Sequence, residues 1–181
     1  MFGLTVDSWS KLKGYRLTTM IQAPNRLPWP PMILIATVVA AWALNTVAPI
    51  SFANTALNTT ALYWFGTAVV GIALSLDVAA MLTMYRARTN ILPHRAAGKL
   101  VTTGPFAFSR NPIYLGNTLV LMGLGLRWSN AWLLLLAIIP TFAVTQLAIR
   151  REEQHLEALF GEDYRHYTDQ VQRWIGWKSK T

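Results

Sequence analysis

The sequence predicts an all-α, integral-membrane bundle of about four transmembrane helices. Of the 181 residues, 53% are hydrophobic and only 13% are charged, which is fewer charges than a soluble domain of this length normally carries. Four apolar stretches approach the roughly 20 residues that a helix needs to cross a bilayer core. The polar segments around these stretches hold nearly all of the basic residues.

Three of the four stretches are long enough to span a membrane by themselves. The first, Pro31–Ile50, contains no charged residue, and the second, Ala61–Tyr85, contains one acid, Asp77. The fourth, Ala131–Ile149, contains Pro140. This proline predicts a kink, because it removes one hydrogen bond from the helix.

The third stretch, Asn111–Arg127, is short for a full span. We expect its helix to begin near Ser109 and to use Trp128 at its far end. A connection of only three residues leads to the fourth stretch, so the two helices are antiparallel neighbours. Glycines permit close helix approach and predict that the third helix is clasped against the fourth as a hairpin. These glycines are Gly116, Gly123 and Gly125.

The distribution of basic residues predicts the orientation. Lys and Arg residues lie before the first helix, in the connector before the third and in the C-terminal tail, whereas Arg127 lies on the other side. The positive-inside rule therefore places both termini and the connector in the cytosol. The chain divides into a basic N-terminal segment (1–30), either interfacial or loosely ordered, a bundle (31–150) with a cytosolic connector (86–111), and cytosolic C-terminal helices (151–181).

Composition also excludes several kinds of site. The absence of cysteine excludes disulfides, thiolate catalysis and Cys-ligated metals, and no spacing of histidines or acids resembles a metal site. The net charge of +8 is compatible with nucleic-acid binding. However, the basic residues interrupt apolar stretches and form no continuous patch, so we favour membrane orientation and predict no nucleic-acid partner.

The connector contains an organised segment, GKLVTTGPFAFSRNPIYL, from Gly98 to Leu115. Gly104 supplies backbone freedom and exposed amides that suit a carboxylate or phosphate oxygen. Pro112 suits the first helical turn and Asn111 suits the cap before it. The alternative interpretation is an ordinary loop that re-enters the membrane through a capped helix.

The C-terminal segment from Arg150 to Trp174 is the second organised one. The fourth helix is predicted to continue to Phe160 and to end at Gly161. A further amphipathic helix then carries one apolar face, formed by Tyr164, Tyr167, Val171 and Trp174. The alternative is a solvated helix end with Arg–Glu pairs along one face.

Polar residues within the apolar stretches lie in the cytosolic half of the bundle. Asp77 lies about 12 Å from the cytosolic end of its helix, and Asn117 and Gln146 lie near the same level. An acid in a membrane helix indicates a functional role. The alternative is a hydrogen-bonded contact among these three side chains.

Two strings carry a family resemblance. LVTTGPFAFSRNPIYLG, followed by REEQHLEALFGEDYRHYTDQVQRW, resembles the isoprenylcysteine carboxyl methyltransferase family, which belongs with the phospholipid methyltransferases among small integral-membrane enzymes. The resemblance covers roughly residues 92–174. It implies that S-adenosylmethionine binds in a cytosolic pocket formed by the connector, the base of the hairpin and the C-terminal helices.

The resemblance also assigns residues. Asn111 replaces the family's usual histidine, and Ala148 occupies the position of an arginine that holds substrate. Arg150 or Arg151 could take the place of this arginine from a different helical phase, and we name Arg151 as the candidate catalytic residue. Tyr114, Tyr164 and Tyr167 are expected to offer aromatic faces to the cofactor. The implied cofactor-binding residues are Gly98, Lys99, Leu100, Val101, Gly104, Phe106, Asn111, Pro112, Ile113, Tyr114, Glu152 and Glu153.

Three functions remain open from the sequence. The first is a methyltransferase in a bacterial or archaeal cell membrane, or in the endoplasmic reticulum of a eukaryote. Its acceptor is a lipophilic or small molecule: an isoprenylcysteine-like carboxylate, a lipid amine or hydroxyl, or a thiol. The second is a membrane reductase of the sterol-reductase type that uses NADPH. The third is a non-enzymatic assembly partner, in which Glu152 and Glu153 form a surface charge pair.

Overall fold

The computed structural model describes residues 29–50, 52, 56–89 and 99–177. The expectations for residues 1–28 and for Gly98 lie outside this part. The described residues form helices joined by turns and loops, and the β contact among them is one isolated bridge between Val171 and Trp177, so the predicted all-α class is confirmed. The helices are α1 (Trp29–Val47), α2 (Ala56–Arg86), a 3₁₀ turn (Gly104–Ala107), α3 (Pro112–Arg127), α4 (Ala131–Leu136), α5 (Ile138–Val144), a π-helical turn (Thr145–Ile149), α6 (Arg150–Phe160) and α7 (Glu162–Gln170).

Segments α4 to α6 follow one another as a single helical stretch of 30 residues, 131–160. Its interruption at Ala137 follows from Pro140, which has no N–H to donate to the carbonyl of Leu136. The π-helical turn then inserts one residue into the helix just before α6. As predicted, the helix ends at Gly161, whose φ of 53° favours glycine.

Two helical stretches, 58–86 and 131–160, are long and apolar enough to cross a membrane, and Pro31–Val47 is a shorter apolar helix. Large apolar side chains on these helices face outward. Trp42, Phe65, Ile72 and Phe142 are all at least 60% exposed. Contiguous apolar surface of this kind is typical of an interaction with lipid or another apolar partner.

Helices α2 and α3 pack closely through glycines. A Cβ atom added to Gly66 would lie 2.5 Å from the carbonyl oxygen of Gly123, and one added to Gly116 would collide with Asp77. The prediction that these glycines clasp the fourth helix is therefore wrong for Gly116 and Gly123, which lie against α2. Only Gly125 packs in the hairpin, against a leucine of α4.

Helix α3 begins at Pro112, so the expected start near Ser109 is wrong. The residue before a proline disfavours helical geometry, and Asn111 has ψ of 57°. The hydroxyl of Ser109 instead accepts a hydrogen bond from the Asn111 amide at 3.2 Å. Trp128 ends the helix as its C-cap. The 16 residues of α3 extend about 24 Å, and a three-residue connection leads into α4, as predicted.

Candidate active site

The C-terminal strap, residues 171–177, lies along the connector that precedes α3. The amide of Arg110 donates to the carbonyl of Gln172 at 3.1 Å, and the amide of Gly176 donates to the carbonyl of Phe108 at 2.8 Å. The amphipathic helix was predicted to include Trp174. It ends earlier, at Gln170, because the chain becomes extended at this point and pairs with the connector.

Glu153 joins α6, the connector and the strap. Its carboxylate accepts two hydrogen bonds from Arg173, at 2.9 and 2.6 Å, and lies 3.3 Å from the Arg110 guanidinium. The side chains of Glu153 and Arg110 are 15% and 12% exposed. Both carboxylate oxygens are therefore engaged within the protein, and Glu153 has little capacity left for a ligand.

Asn111 also binds the strap. It occupies the N-cap position of α3, as predicted, but its side chain makes no capping hydrogen bond. The side-chain nitrogen of Asn111, Nδ2, instead donates a hydrogen bond to the carbonyl of Arg173 at 3.1 Å. Since Asn111 is only 9% exposed, its side chain fixes the strap to the base of α3.

Glu152 has a different environment from its neighbour. Its side chain is exposed, yet desolvation, with a smaller contribution from the charge of Glu153, raises the pKa of its carboxyl from 4.5 to about 7. An exposed group can be desolvated when protein surrounds it on several sides. The charge of Glu152 also reaches the hydroxyl of Tyr114.

An apolar wall adjoins Glu152. Ala148 and Ile149, which lie one helical turn before Glu152, are 7% and 0% exposed. Tyr114 from α3, Trp174 from the strap and Ile33 from α1 pack against the cluster that contains them. The arrangement combines one carboxylate with two aromatic side chains, and it sits where the apolar part of the long helical stretch ends.

Tyr164 and Tyr167, which were expected to offer aromatic faces to the cofactor, are both largely buried. They are 3% and 6% exposed and pack with Leu100, Leu156 and Phe160. The hydroxyl of Tyr167 donates to the carbonyl of Phe106 at 2.7 Å. Both rings are used to attach α7 to the connector.

The remaining predicted residues divide by position. Lys99 and Gly104 are exposed on the connector, whereas Leu100, Val101 and Phe106 are half-buried. Gly104 has φ of 61°, as its predicted backbone freedom requires, and it packs against Thr83 of α2. Pro112 is fully buried at the start of α3, and Ile113 is half-buried beside it. Arg151 is exposed in the first turn of α6.

Asp77 stands apart from these groups. Its Oδ1 is buried without a hydrogen-bond partner among the described residues, and the side chain packs against Gly116. Within the described residues, Asp77 therefore does not form the hydrogen bonds with Asn117 and Gln146 that the alternative interpretation predicted.

Comparison with known proteins identifies the family. A family model described as phospholipid methyltransferase matches residues 61–163, more than half of the chain. The chain belongs to the phospholipid methyltransferase family. A protein of Haemophilus influenzae, described as an uncharacterized protein, is 38% identical over 63 residues, which are 35% of this chain and all of that protein.

Phospholipid methyltransferase membership confirms the suspected group and makes a membrane methyltransferase the class of protein to expect. The matched range contains most of α2, the connector, α3 and the whole of the long helical stretch, and it ends just before Tyr164. The strap lies beyond it, and sequence reasoning assigned no role to Arg173. The ion pair between Arg173 and Glu153 joins residues 20 positions apart, so helical periodicity does not predict it. The available signal was a basic residue after an amphipathic helix, which is a reasonable partner for an acid such as Glu153.

Proposed function

We propose that this protein is an integral-membrane, S-adenosylmethionine-dependent methyltransferase whose cofactor binds beside Glu152. The observation that carries the proposal is an exposed but desolvated carboxylate whose charge reaches Tyr114, one helical turn after the apolar cluster on which Tyr114 and Trp174 pack. Family membership supplies the reaction class. The proposed site lies at the base of the helical hairpin, where the chain leaves its apolar stretch.

The proposal includes four membrane spans: α1, α2, α3 and the apolar part of the long helical stretch, 131–149. Both termini and the connector are cytosolic under the positive-inside rule, since only Arg127 of the 16 basic residues lies at the opposite ends of these helices. At about 24 Å, α3 is shorter than a bilayer core of about 30 Å. Local thinning of the bilayer accommodates such a difference.

The residues beside Glu152 fit the cofactor. A carboxylate accepts hydrogen bonds from a ribose diol or an amine, and it favours a nearby positive charge. Tyr114 and Trp174 supply apolar and aromatic surface. Lys99, Leu100 and Val101 offer backbone groups from the connector in this proposal. Glu153 is assigned the role of holding Arg110 and Arg173, rather than contacting the cofactor directly.

When bound, S-adenosylmethionine supplies a methyl group on a sulfonium, which an acceptor displaces in line. The protein's residues contribute positioning and exclusion of water. Glu152 orients the cofactor through its carboxylate, and the wall around Tyr114 limits the entry of water. Asn111 has its side chain bound to the strap, so we assign it no proton transfer.

The acceptor is proposed to be lipophilic or small and accessible from the membrane. Ala148 is buried in the apolar cluster, so this position offers no cation to a carboxylate substrate. Arg151 remains our candidate for contacting the acceptor, from its exposed place next to Glu152. A lipid amine, a hydroxyl, a thiol and a carboxylate are all chemically competent acceptors.

Binding measurements test the proposal. The purified protein in a mild detergent is dialysed against S-adenosylmethionine and, separately, NADPH. We expect the first to bind at sub-millimolar concentration and Glu152→Gln to weaken it about tenfold or more, the range of one charge-assisted hydrogen bond. Asp169→Asn, an equal loss of charge at an exposed site on α7, is the matched control. Binding of NADPH alone would contradict the proposal.

A further inference from the structure

A second site lies on the cytosolic helices. A cavity of about 370 Å³ opens between α6 and α7, within the size range of small-molecule sites. It shares Glu153 with the residues implied to bind the cofactor, and Tyr164 with the rings that were expected to face it. The lining residues are Arg110, Arg150, Glu153, Gln154, Glu157, Tyr164, Arg165, Thr168 and Arg173.

The cavity lies on the opposite face of α6 from Glu152. At 100° per residue, Arg150, Gln154 and Glu157 share one face, whereas Glu152 lies about 140–160° from them. The cavity is therefore separate from the proposed cofactor site, and its depth in the membrane rests on the spans of the proposed function.

Charge and hydrogen-bond donors favour an anion in the part of the cavity nearest the membrane. Glu153 alone faces Arg110 and Arg173, and Arg150 is exposed and has no ion pair with another described residue. This part carries three positive charges and one negative charge. At the far end, Arg165 is neutralised by Glu157 and Glu162, at 2.9 and 2.7 Å, so that end is less attractive to an anion.

Arg110 retains unused donor capacity. Its Nε is buried and has no hydrogen-bond partner among the described residues, although its Nη1 contacts Glu153. Gln154, whose side-chain amide is a further donor, also lines the cavity. Several donors around one guanidinium cluster suit a tetrahedral oxyanion, because phosphate oxygens accept charge-assisted hydrogen bonds from arginine forks.

The depth of the cavity points to the source of the oxyanion. Arg150 directly follows the apolar run that ends at Ile149, and Glu157 lies about 10 Å further along α6. The headgroup layer on each side of a bilayer core is roughly 5–8 Å thick. We propose that this cavity binds a phosphate group at headgroup depth, as the phosphodiester of a membrane phospholipid or as free phosphate. If the phosphate belongs to a lipid, the cavity also anchors α6 and α7 to the membrane surface.

The test uses full-length protein in a phosphate-free maltoside detergent. One arm titrates inorganic phosphate, the other titrates dihexanoyl phosphatidylglycerol below its micellar concentration, and chloride at equal ionic strength serves as the reference. Binding is measured by calorimetry and by the rise in unfolding temperature. Arg150→Gln should weaken binding about tenfold, and Arg150→Lys should weaken it less, because the charge remains but the fork is lost.

Arg86→Gln is the matched control, since it removes an exposed basic residue at the end of α2, and it should change the affinity less than twofold. Tighter binding of the lipid assigns the site to a headgroup, whereas binding of inorganic phosphate alone assigns it to free phosphate. The proposal is overturned if neither compound binds beyond the chloride reference, or if Arg150→Gln and Arg86→Gln have equal effects.

Discussion

The substitution Glu153→Gln tests whether Glu153 has a structural role, in contrast to the cofactor-binding role proposed for Glu152. The substitution preserves shape but removes the negative charge that holds Arg110 and Arg173 together. Arg110 would then be an uncompensated cation at 12% exposure. The strap would also lose the charge-assisted pair that attaches Arg173 to α6.

The expected cost follows from the exposure of the three side chains. Breaking a fully buried ion pair costs about 3–5 kcal/mol, whereas exposed pairs contribute about 0–1 kcal/mol. Glu153 and Arg110 are largely buried and Arg173 is 34% exposed, so we expect a loss of about 2–3 kcal/mol. For a chain of this size, that loss lowers the unfolding temperature by roughly 5–10 °C.

The assay is thermal unfolding in detergent, followed by the fluorescence of the eight tryptophans. Glu157→Gln is the matched control, because it removes the same charge from the same helix, where the pair with Arg165 is 59% and 48% exposed. The control should lose less than about 1 kcal/mol. Equal unfolding temperatures for Glu153→Gln and the wild type, or an equal loss for Glu157→Gln, would refute the assigned role.

Three further predictions concern packing, pH and the membrane acid. Gly66→Ala should destabilise the bundle by about 1–3 kcal/mol in the same unfolding assay, because the added Cβ atom would lie 2.5 Å from backbone atoms of α3. Gly71→Ala is the control and should be neutral or slightly stabilising, because no atom lies within 4 Å of the added Cβ. The affinity for S-adenosylmethionine should fall about tenfold from pH 8 to pH 6, because the Glu152 carboxyl, with its pKa raised to about 7, loses its charge over this range; calorimetry at both pH values measures the change, and a flat profile contradicts it. Asp77→Asn should weaken cofactor binding less than Glu152→Ala does, and a reversed order in equilibrium dialysis would move the pocket deeper into the bundle.

The apolar runs of the sequence, together with the glycine and proline residues at helix ends, predicted the helices well. The apolar runs gave α1, α2 and the long helical stretch, and Gly161 marked its end because a residue with positive φ favours glycine. Pro112 likewise occupies the first turn of α3, as predicted. These features depend on local backbone chemistry, which the sequence contains directly.

Partners across the fold were predicted less well. Gly116 and Gly123 signal close approach, but spacing alone does not name the approaching helix, and the partner is α2 rather than α4. In the same way, adjacent acids look equivalent in sequence. Only the fold reveals that Glu153 is held by Arg173, 20 residues away, whereas the side chain of Glu152 is exposed.

The two tyrosines illustrate a related difficulty. An amphipathic face predicts which side of a helix is apolar, but it does not distinguish packing from ligand contact. Tyr164 and Tyr167 pack on the connector, and their burial removes them from the proposed site. Tyr114 and Trp174, which adjoin the apolar wall beside Glu152, remain available for it.

The most direct test of the central claim is transfer of a labelled methyl group. Wild-type protein and Glu152→Gln are placed in lipid nanodiscs with methyl-labelled S-adenosylmethionine and a panel of total lipid extract, prenylated carboxylates and small thiols. The proposed function predicts label in one acceptor class with the wild type and at least about tenfold less with Glu152→Gln. Absence of label in every class with the wild-type protein, or equal label with both proteins, would contradict it.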